Sequence, residues 1–280
     1  MKVPLGKNRV VSEYLLYAVV ILVVVVLFDL PMFTTILTAF KTDADISSSP
    51  PKWIIEPVLT HFQNVFQGVG FRFERYLLNS VIIGLSATAL AILITFPAAY
   101  AIVRYKGYGQ ILMGATLLIR MLPAISYAIP VFVLFHHFKL IDTRLSIIFM
   151  HTLFIAPTSL MLLIGYIQDM PRDLEDAAAV DGANVLQILG HVLIPIVRPG
   201  LAAVAILGFI TSWNEFLFAV ILSVEKAVTA TVGTSFFITS HQVRWGDMAA
   251  AITLSTIPTL IFIFVVQRQL IKGMTTGAIK

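Results

Sequence analysis

Residues 76–103 read YLLNSVIIGLSATALAILITFPAAYAIV, a stretch without Asp, Glu, Lys or Arg. A helix that crosses a lipid bilayer needs about 20 consecutive, mostly apolar residues, so this stretch is long enough to cross. The charged residues Arg75 and Arg104 flank it directly. The sequence therefore predicts a membrane-spanning helix between them.

The whole chain has the composition of a membrane protein. Of its 280 residues, 58% are hydrophobic and only 12% are charged, whereas a typical soluble chain is about 25% charged. This composition excludes a disordered chain and leaves too few charges to cover a soluble globule. The absence of cysteine excludes thiolate metal sites and cysteine nucleophiles. The net charge of +4 comes without a basic block that would bind nucleic acid.

Five further apolar stretches are long enough to cross a bilayer. They lie at about residues 14–40, 108–138, 145–167, 201–222 and 248–266. We therefore expect an all-α, polytopic membrane protein with six transmembrane helices, forming one domain over residues 1–280. The first apolar stretch is too long for a cleaved signal peptide, and we expect it to be retained.

The distribution of basic residues predicts the orientation, because cytoplasmic loops carry an excess of Lys and Arg. Of the 19 Lys and Arg, Arg120 falls inside a span, ten fall on the side of the termini and eight on the other side. This bias favours cytoplasmic termini and a cytoplasmic segment at 168–199.

The segment 168–200 reads QDMPRDLEDAAAVDGANVLQILGHVLIPIVRPG, which is typical of two short helices joined by a turn. Pro171 and three acidic residues that follow it are favourable in a first helical turn, and Leu174, Ala177 and Ala178 form a narrow apolar stripe. Gly182 should break the helix, because glycine readily adopts left-handed conformations. Pro195 and Pro199-Gly200 are expected to end the second helix.

Two interpretations of this hairpin are open. It could lie on the membrane surface as an amphipathic element, or it could contact another protein. A membrane-surface helix usually has a basic polar face, whereas this hairpin begins with acidic residues. The charge therefore favours a protein partner.

The hairpin resembles the EAA loop of ABC-importer permeases, whose pattern is E-A-A, three residues, Gly, nine residues and then I-x-L-P. The matching residues here are Asp176-Ala177-Ala178, Gly182 and Val192-Leu193-Ile194-Pro195. Trp213-Asn214-Glu215-Phe216, the Arg120–Pro123 stretch RMLP and the tail from Gln267 to Lys280 are similar to the carbohydrate-uptake, maltose-permease-like branch of that family.

The resemblance implies a type I ABC importer permease fold and a role as one of two non-identical membrane subunits that form the path of an ATP-driven sugar importer. It implies that the EAA loop docks on an ATPase subunit. The coupling residues would be Asp176, Ala177, Ala178, Asp181, Gly182, Ala183 and Pro195. The implied partners are a second permease, two ATP-binding subunits, an extracytoplasmic sugar-binding protein and membrane lipid, in the inner membrane of a prokaryote. ATP and Mg would bind to the ATPase subunits, because the chain lacks a G-x-x-x-x-G-K-[ST] phosphate loop.

Charged residues inside the spans need a specific explanation, because an isolated charge in lipid is costly. Asp29, Arg120 and Glu215 fall at similar predicted depths. They could pair with one another or with the second permease, or they could line the substrate path. We expect Arg120 to be neutralised by Glu215 or Asp29, and we take Trp213, Asn214, Glu215 and Arg120 as candidate path residues. His151 is interpreted as a packed, hydrogen-bonded residue.

Two other classes of protein compete with an ABC permease. An ion-coupled secondary transporter could use Asp29 and Glu215, although it would not need a docking hairpin. An intramembrane enzyme is disfavoured, because the sequence contains neither H-E-x-x-H nor G-x-S-x-G and offers no metal-ligand set. We therefore expect a non-enzymatic chain without a cofactor or metal of its own.

Overall fold

The computed structural model describes residues 7–67, 72–105 and 109–277. The described residues are mostly helical, as predicted. The α-helices are α1 (Lys7–Ala39), α2 (Asp43–Ile46), α3 (Thr60–Gln67), α4 (Phe73–Arg104), α5 (Gly109–Met121), α6 (Ala128–His137), α7 (Arg144–Gln168), α8 (Asp173–Val180), α9 (Val185–Gln187), α10 (Ile194–Ile196), α11 (Arg198–Trp213), α12 (Leu217–Leu222), α13 (Ala230–Ser235) and α14 (Trp245–Gly277). A 3₁₀ turn covers Ala124–Tyr127, and a π-helical turn covers Ile188–Leu193.

Four of the described helices are long and apolar enough to cross a membrane: α1, α4, α7 and α14. Two bent pairs raise the number to six if each pair counts as one span. One pair joins Ile111–Met121 to Ala124–His137 at 99°, and the other joins Val185–Ile196 to Arg198–Asn214 at 82°. The all-α, polytopic fold class is confirmed.

The third predicted span is not one straight helix. It breaks between α5 and α6 at Pro123, which has an extended ψ of 132°. Proline lacks an N–H and disfavours helix for the residue before it, so a chain with proline at this position turns instead of continuing. The start of this predicted span, at Tyr108, lies outside the described residues.

The chain divides into two compact units, residues 1–71 with 237–254, and residues 72–236 with 255–280. In the second unit, α4 packs against α7 and α11. Small residues permit this close packing: a Cβ on Gly84 would lie 2.9 Å from the ring of Phe209, and one on Gly208 would lie 3.1 Å from Ile155 and from Thr88. Small residues at helix contacts are typical of membrane proteins, where backbones approach closely.

In the first unit, α1 has none of the residues of its apolar window buried within the chain. Its side chains from Leu16 to Phe33 are exposed and hydrophobic for most of its length. Such a surface is stable only in contact with lipid or with another membrane subunit. The buried part of this unit includes His61, Val65 and Asp247.

A polar clamp orders the loop between α12 and α13 in the second unit. Asp142 has a positive φ of 59°, and its carboxylate accepts hydrogen bonds from the backbone N–H groups of residues 224–227 at 2.9–3.1 Å. Burial by itself would raise the pKa of the Asp142 carboxyl, but these backbone hydrogen bonds outweigh it, and the pKa lies below its ordinary value of 3.8.

We predict that Asp142→Asn loosens this loop. An amide cannot accept several N–H bonds as strongly as a carboxylate, and a hydrogen bond to a charged group contributes roughly 1.5–3 kcal/mol. Hydrogen exchange at residues 224–227 should accelerate by about tenfold or more. In the wild type the protection should persist above pH 3.8 and be lost as the pH falls through the lower pKa of the folded state. Asp169→Asn, at the exposed end of α7, is the matched control; equal exchange in both variants would contradict the role of the clamp.

Candidate coupling hairpin and intramembrane polar cluster

The first helix of the hairpin begins at Asp173, and it carries Asp173, Glu175 and Asp176 in its first turn. The predicted helix start is therefore confirmed to within two residues. Pro171 precedes the N-cap residue Arg172 and does not lie within the first turn. The acidic residues stabilise this end, because the helix dipole favours negative charge at an N-terminus.

The turn at Gly182 has the hydrogen bonds of a Schellman motif. Ala183 N–H donates to the Ala178 carbonyl, and Gly182 N–H donates to the Ala179 carbonyl, both at 3.0 Å. Gly182 has a φ of +85°, and a Cβ there would meet no atom of the chain within 4 Å. The glycine is therefore required for its backbone conformation, and not for a close contact within this chain.

The second helix of the hairpin begins with a capping box, in which Asn184 and Gln187 each bond to the other's backbone N–H. The expected end of this helix at Pro195 and Pro199-Gly200 agrees with the structure, in which the helix ends at Ile196 and the chain bends by 82° before α11. The helical path continues through the π-turn and α10 to Ile196, and α11 begins at Arg198 with Pro199 in its first turn. Proline is tolerated in the first turn of a helix, because its missing N–H has no partner there.

A buried ion pair attaches the hairpin to the end of α4. The Arg104 Nε donates to Glu175 Oε1 at 2.8 Å, and its Nη2 lies 2.6 Å from the same oxygen. Nη2 also donates to the carbonyls of Ile167 and Met170 at 3.3 Å. Both side chains are at most 10% exposed. The pair was not predicted from the sequence, although one signal was available: Glu175 lies on the same helix face as Ala178, which packs on the core.

The opposite face of the hairpin is exposed and partly apolar. Val180 is 87% exposed, Leu186 is 78% exposed, and Leu174 is 46% exposed. Of the predicted apolar stripe, Leu174 and Ala177 are exposed, while Ala178 is half-buried in the chain's own core. Asp176 and Asp181 are exposed on the same hairpin, Ala183 is half-buried and Pro195 is exposed. Exposed apolar side chains grouped on one element are typical of an interaction surface.

The fifth predicted span is interrupted at residues 214–216, between α11 and α12. A break inside a bilayer leaves backbone groups that need partners, since lipid offers none. The Glu215 carboxylate accepts hydrogen bonds from the N–H groups of Phe218 and Ala219 at 2.9 and 3.1 Å. Thr231 Oγ1 lies 3.4 Å from the carbonyl oxygens of Trp213 and Glu215. Glu215 therefore caps the start of α12.

His151 is the hydrogen-bond partner of the Glu215 side chain. Its ring is 1% exposed, its Nε2 lies 3.0 Å from Glu215 Oε2, and its Nδ1 lies 2.6 Å from Ser212 Oγ. The interpretation of His151 as a packed, hydrogen-bonded residue is confirmed. The expected direct pairing of Arg120 with Glu215 is not observed among the described residues, since the Glu215 carboxylate caps a helix and binds a histidine. Arg120 is exposed, and it takes part in none of the ion pairs within 4.0 Å that the described residues form.

The other candidate path residues differ in exposure. Trp213 is 7% exposed, and its ring lies 5.4 Å from that of Phe209. Asn214 is exposed, and its amide donates to the Ile210 carbonyl at 3.0 Å. Asp29 is exposed on α1. The break thus presents Asn214 at the surface of the chain while Glu215 and Trp213 are engaged within it.

Comparison with known proteins identifies the family. Residues 91–276, more than half of the chain, match the model of the family described as "Binding-protein-dependent transport system inner membrane component". The chain belongs to this family. It is therefore a multi-pass membrane permease component, and ATP hydrolysis is the task of a different subunit.

The similar proteins include permease proteins of ABC transporters for sugars. The permease is 37% identical over 224 residues to a trehalose transport system permease protein of Mycobacterium tuberculosis, covering 79% of this chain and 81% of that protein. It is 31% identical to a trehalose/maltose transport system permease protein of Thermococcus litoralis, covering 95% and 96%. A probable ABC transporter permease protein of Sinorhizobium fredii is 33% identical, covering 89% and 90%. The resemblance to the carbohydrate-uptake branch is confirmed.

The fold is also that of a solved importer. The crystal structure of a bacterial ABC transporter involved in the import of the acidic polysaccharide alginate contains a chain that matches with a TM-score of 0.75. The match covers 96% of the permease and 99% of that chain at 21% identity. The predicted ABC importer permease fold is thereby confirmed.

We predict that Arg104→Met detaches the hairpin from α4. The substitution leaves the buried Glu175 carboxylate without its partner, which costs roughly 3–5 kcal/mol. Hydrogen exchange at residues 173–180 should rise accordingly, and the double variant Arg104→Met/Glu175→Met should recover much of the protection. Arg172→Met is the control, because Arg172 and Asp176 form an exposed pair at 3.9 Å. Exchange that rises equally in both single variants would contradict a specific role for Arg104.

Proposed function

We propose that the permease forms one half of the translocation path of an ATP-driven sugar importer and is driven through the hairpin 171–195. The observation that carries this proposal is the hairpin itself: an exposed apolar surface at Leu174, Val180 and Leu186, fixed to a membrane span by the buried pair Arg104–Glu175. An element attached rigidly at one face and exposed at the other can transmit a movement of an ATPase subunit to the span.

In this proposal the whole chain acts as a single permease domain and pairs with a second, non-identical permease. Two ATPase subunits bind ATP and Mg, and an extracytoplasmic binding protein delivers the sugar. The coupling contacts are made by Asp176, Ala177, Ala178, Asp181, Gly182, Ala183 and Pro195. Trehalose and maltose are the first sugars to test, because the names of two relatives contain them.

We propose the surface around the break at 214–216 as part of the path. Asn214 is exposed there, and an amide can exchange hydrogen bonds with sugar hydroxyls. Glu215 and Trp213 contribute by shaping the break, and exposed Arg120 remains a candidate on α5. An ion-coupled secondary transporter using Asp29 and Glu215 is not favoured, because the relatives are ABC transporter permeases.

We predict that Gly182→Val uncouples the importer. A β-branched residue at a φ of +85° is strained, at a cost of about 1–3 kcal/mol, so the turn that presents the hairpin should shift. Purified complex with sugar-loaded binding protein should lose most of its sugar-stimulated ATPase activity or transport. Gly182→Asn should retain more activity, because asparagine tolerates the left-handed region. Gly190→Ala is the control, since a Cβ there meets nothing within 4 Å. The coupling role of the turn would be refuted if Gly182→Val kept wild-type transport, coupling and complex yield.

The orientation is part of the proposal and has its own test. The chain contains no cysteine, so single cysteines report without background. Ile54→Cys, at a position that is 95% exposed, should react with an impermeant thiol reagent added to intact cells. Asp169→Cys, at the exposed end of α7, should react only after the cells are opened. The reverse pattern would place the hairpin outside and exclude ATPase docking.

A further inference from the structure

A buried histidine joins three segments of the first unit. His61, in α3, is 4% exposed. Its Nδ1 lies 2.8 Å from Oδ1 of Asp247 at the start of α14, and its Nε2 lies 2.9 Å from the carbonyl oxygen of Lys41. The ring therefore bridges the segment after α1 and the first turn of α14.

Both atoms that face the ring are hydrogen-bond acceptors. A backbone carbonyl can only accept. Asp247 already accepts from the Asn64 amide at 3.1 Å through Oδ1, and Oδ2 lies 2.5 Å from the Arg244 guanidinium. These donors stabilise the ionised carboxylate, which has no proton to offer the histidine.

A neutral imidazole carries one N–H and one bare nitrogen. With an acceptor on each side, the neutral ring can satisfy only one contact, and it sets a lone pair against an oxygen at the other. The imidazolium donates at both. We propose that His61 is a buried proton-binding site whose imidazolium form holds residues 41–67 against the start of α14.

The packing holds the His61 ring in the orientation in which each nitrogen faces an acceptor. The ring lies directly on the backbone of Gly246, where a Cβ would overlap with Cε1 and Nε2. Turning the ring by half a revolution would place carbon atoms opposite both oxygens and would satisfy neither. The position therefore fixes both the plane of the ring and the direction of its nitrogens.

Two carboxylates lie within 4.0 Å of the ring nitrogens. The groups that face it are the carboxylates of Asp247 and Asp43, the latter 4.0 Å from Nε2. Arg244 neutralises one carboxylate, and the Lys41 ammonium lies over the ring of Trp53, 5.9 Å from its centroid. A cavity of about 290 Å³ beside the cluster is lined by Asp43, Asn64, Arg244 and Asp247 among others.

An imidazolium at this position makes two charge-assisted hydrogen bonds, one to each acceptor. On the proposed orientation the cluster faces the outside of the cell.

The protonation state can be measured directly. We would label the permease in lipid nanodiscs with ¹⁵N-histidine and assign His61 among the six histidines by its loss in His61→Gln. At pH 7.5, where an exposed histidine is mostly neutral, both ring nitrogens of His61 should carry a proton. A bare nitrogen at His61 under these conditions, in a folded permease, would overturn the proposal.

Asp247→Asn supplies a second test that keeps the histidine. Asparagine can turn its NH₂ toward Nδ1, so a neutral ring with a proton on Nε2 then satisfies both contacts. The variant should show a singly protonated ring at pH 7.5, and the change should be confined to one of the six signals, which assigns His61 even if His61→Gln does not fold. If the ring has the same protonation in Asp247→Asn and in the wild type, the two facing acceptors do not determine the protonation of His61.

Discussion

A buried ion pair between Arg104 and Glu175 connects the long apolar helix α4 to the hairpin that begins at Asp173. Arg104 ends a 32-residue span, and Glu175 lies in the first turn of the hairpin. Since a buried charge that loses its partner is strongly destabilising, the two elements are bound to move together. This attachment matters for the exposed apolar face of the hairpin and for its Schellman turn. A loosely tethered hairpin could bind a partner but could not transmit force to α4.

The same requirement, that every buried polar group has a partner, governs the break in the fifth span. The backbone at residues 214–216 leaves its helix, and the side chains of Glu215 and Thr231 supply the missing hydrogen bonds. His151, which is hydrogen-bonded to Ser212, in turn holds the Glu215 carboxylate. This division of roles explains why Glu215 is engaged in structure while its neighbour Asn214 is exposed. The WNEF stretch thus combines an internal clamp with an accessible amide.

Much of the fold and of the hairpin was predictable from the sequence, because both depend on local patterns. Uncharged apolar runs gave the spans, and Asp181-Gly182 gave the turn, whose positive φ only glycine adopts freely. Partners distant in the chain were not predictable. Similar predicted depth was the only reason to pair Arg120 with Glu215. The observed partner of Glu215 is His151 on α7, and the rotation of that helix about its axis determines whether the two side chains meet. The π-helical turn at Ile188–Leu193, which precedes Pro195, was not predicted from the sequence either.

We propose that the exposed face of the hairpin docks on an ATPase subunit. Hydrogen exchange of the permease pair in nanodiscs, with and without its ATPase subunits, tests this docking. We expect residues 174–186, which include Val180 and Leu186 at 87% and 78% exposure, to become protected when the ATPase is present, while the segment around Ile54 does not change. Equal exchange of residues 174–186 in both samples, with the complex intact, would show that this face does not dock.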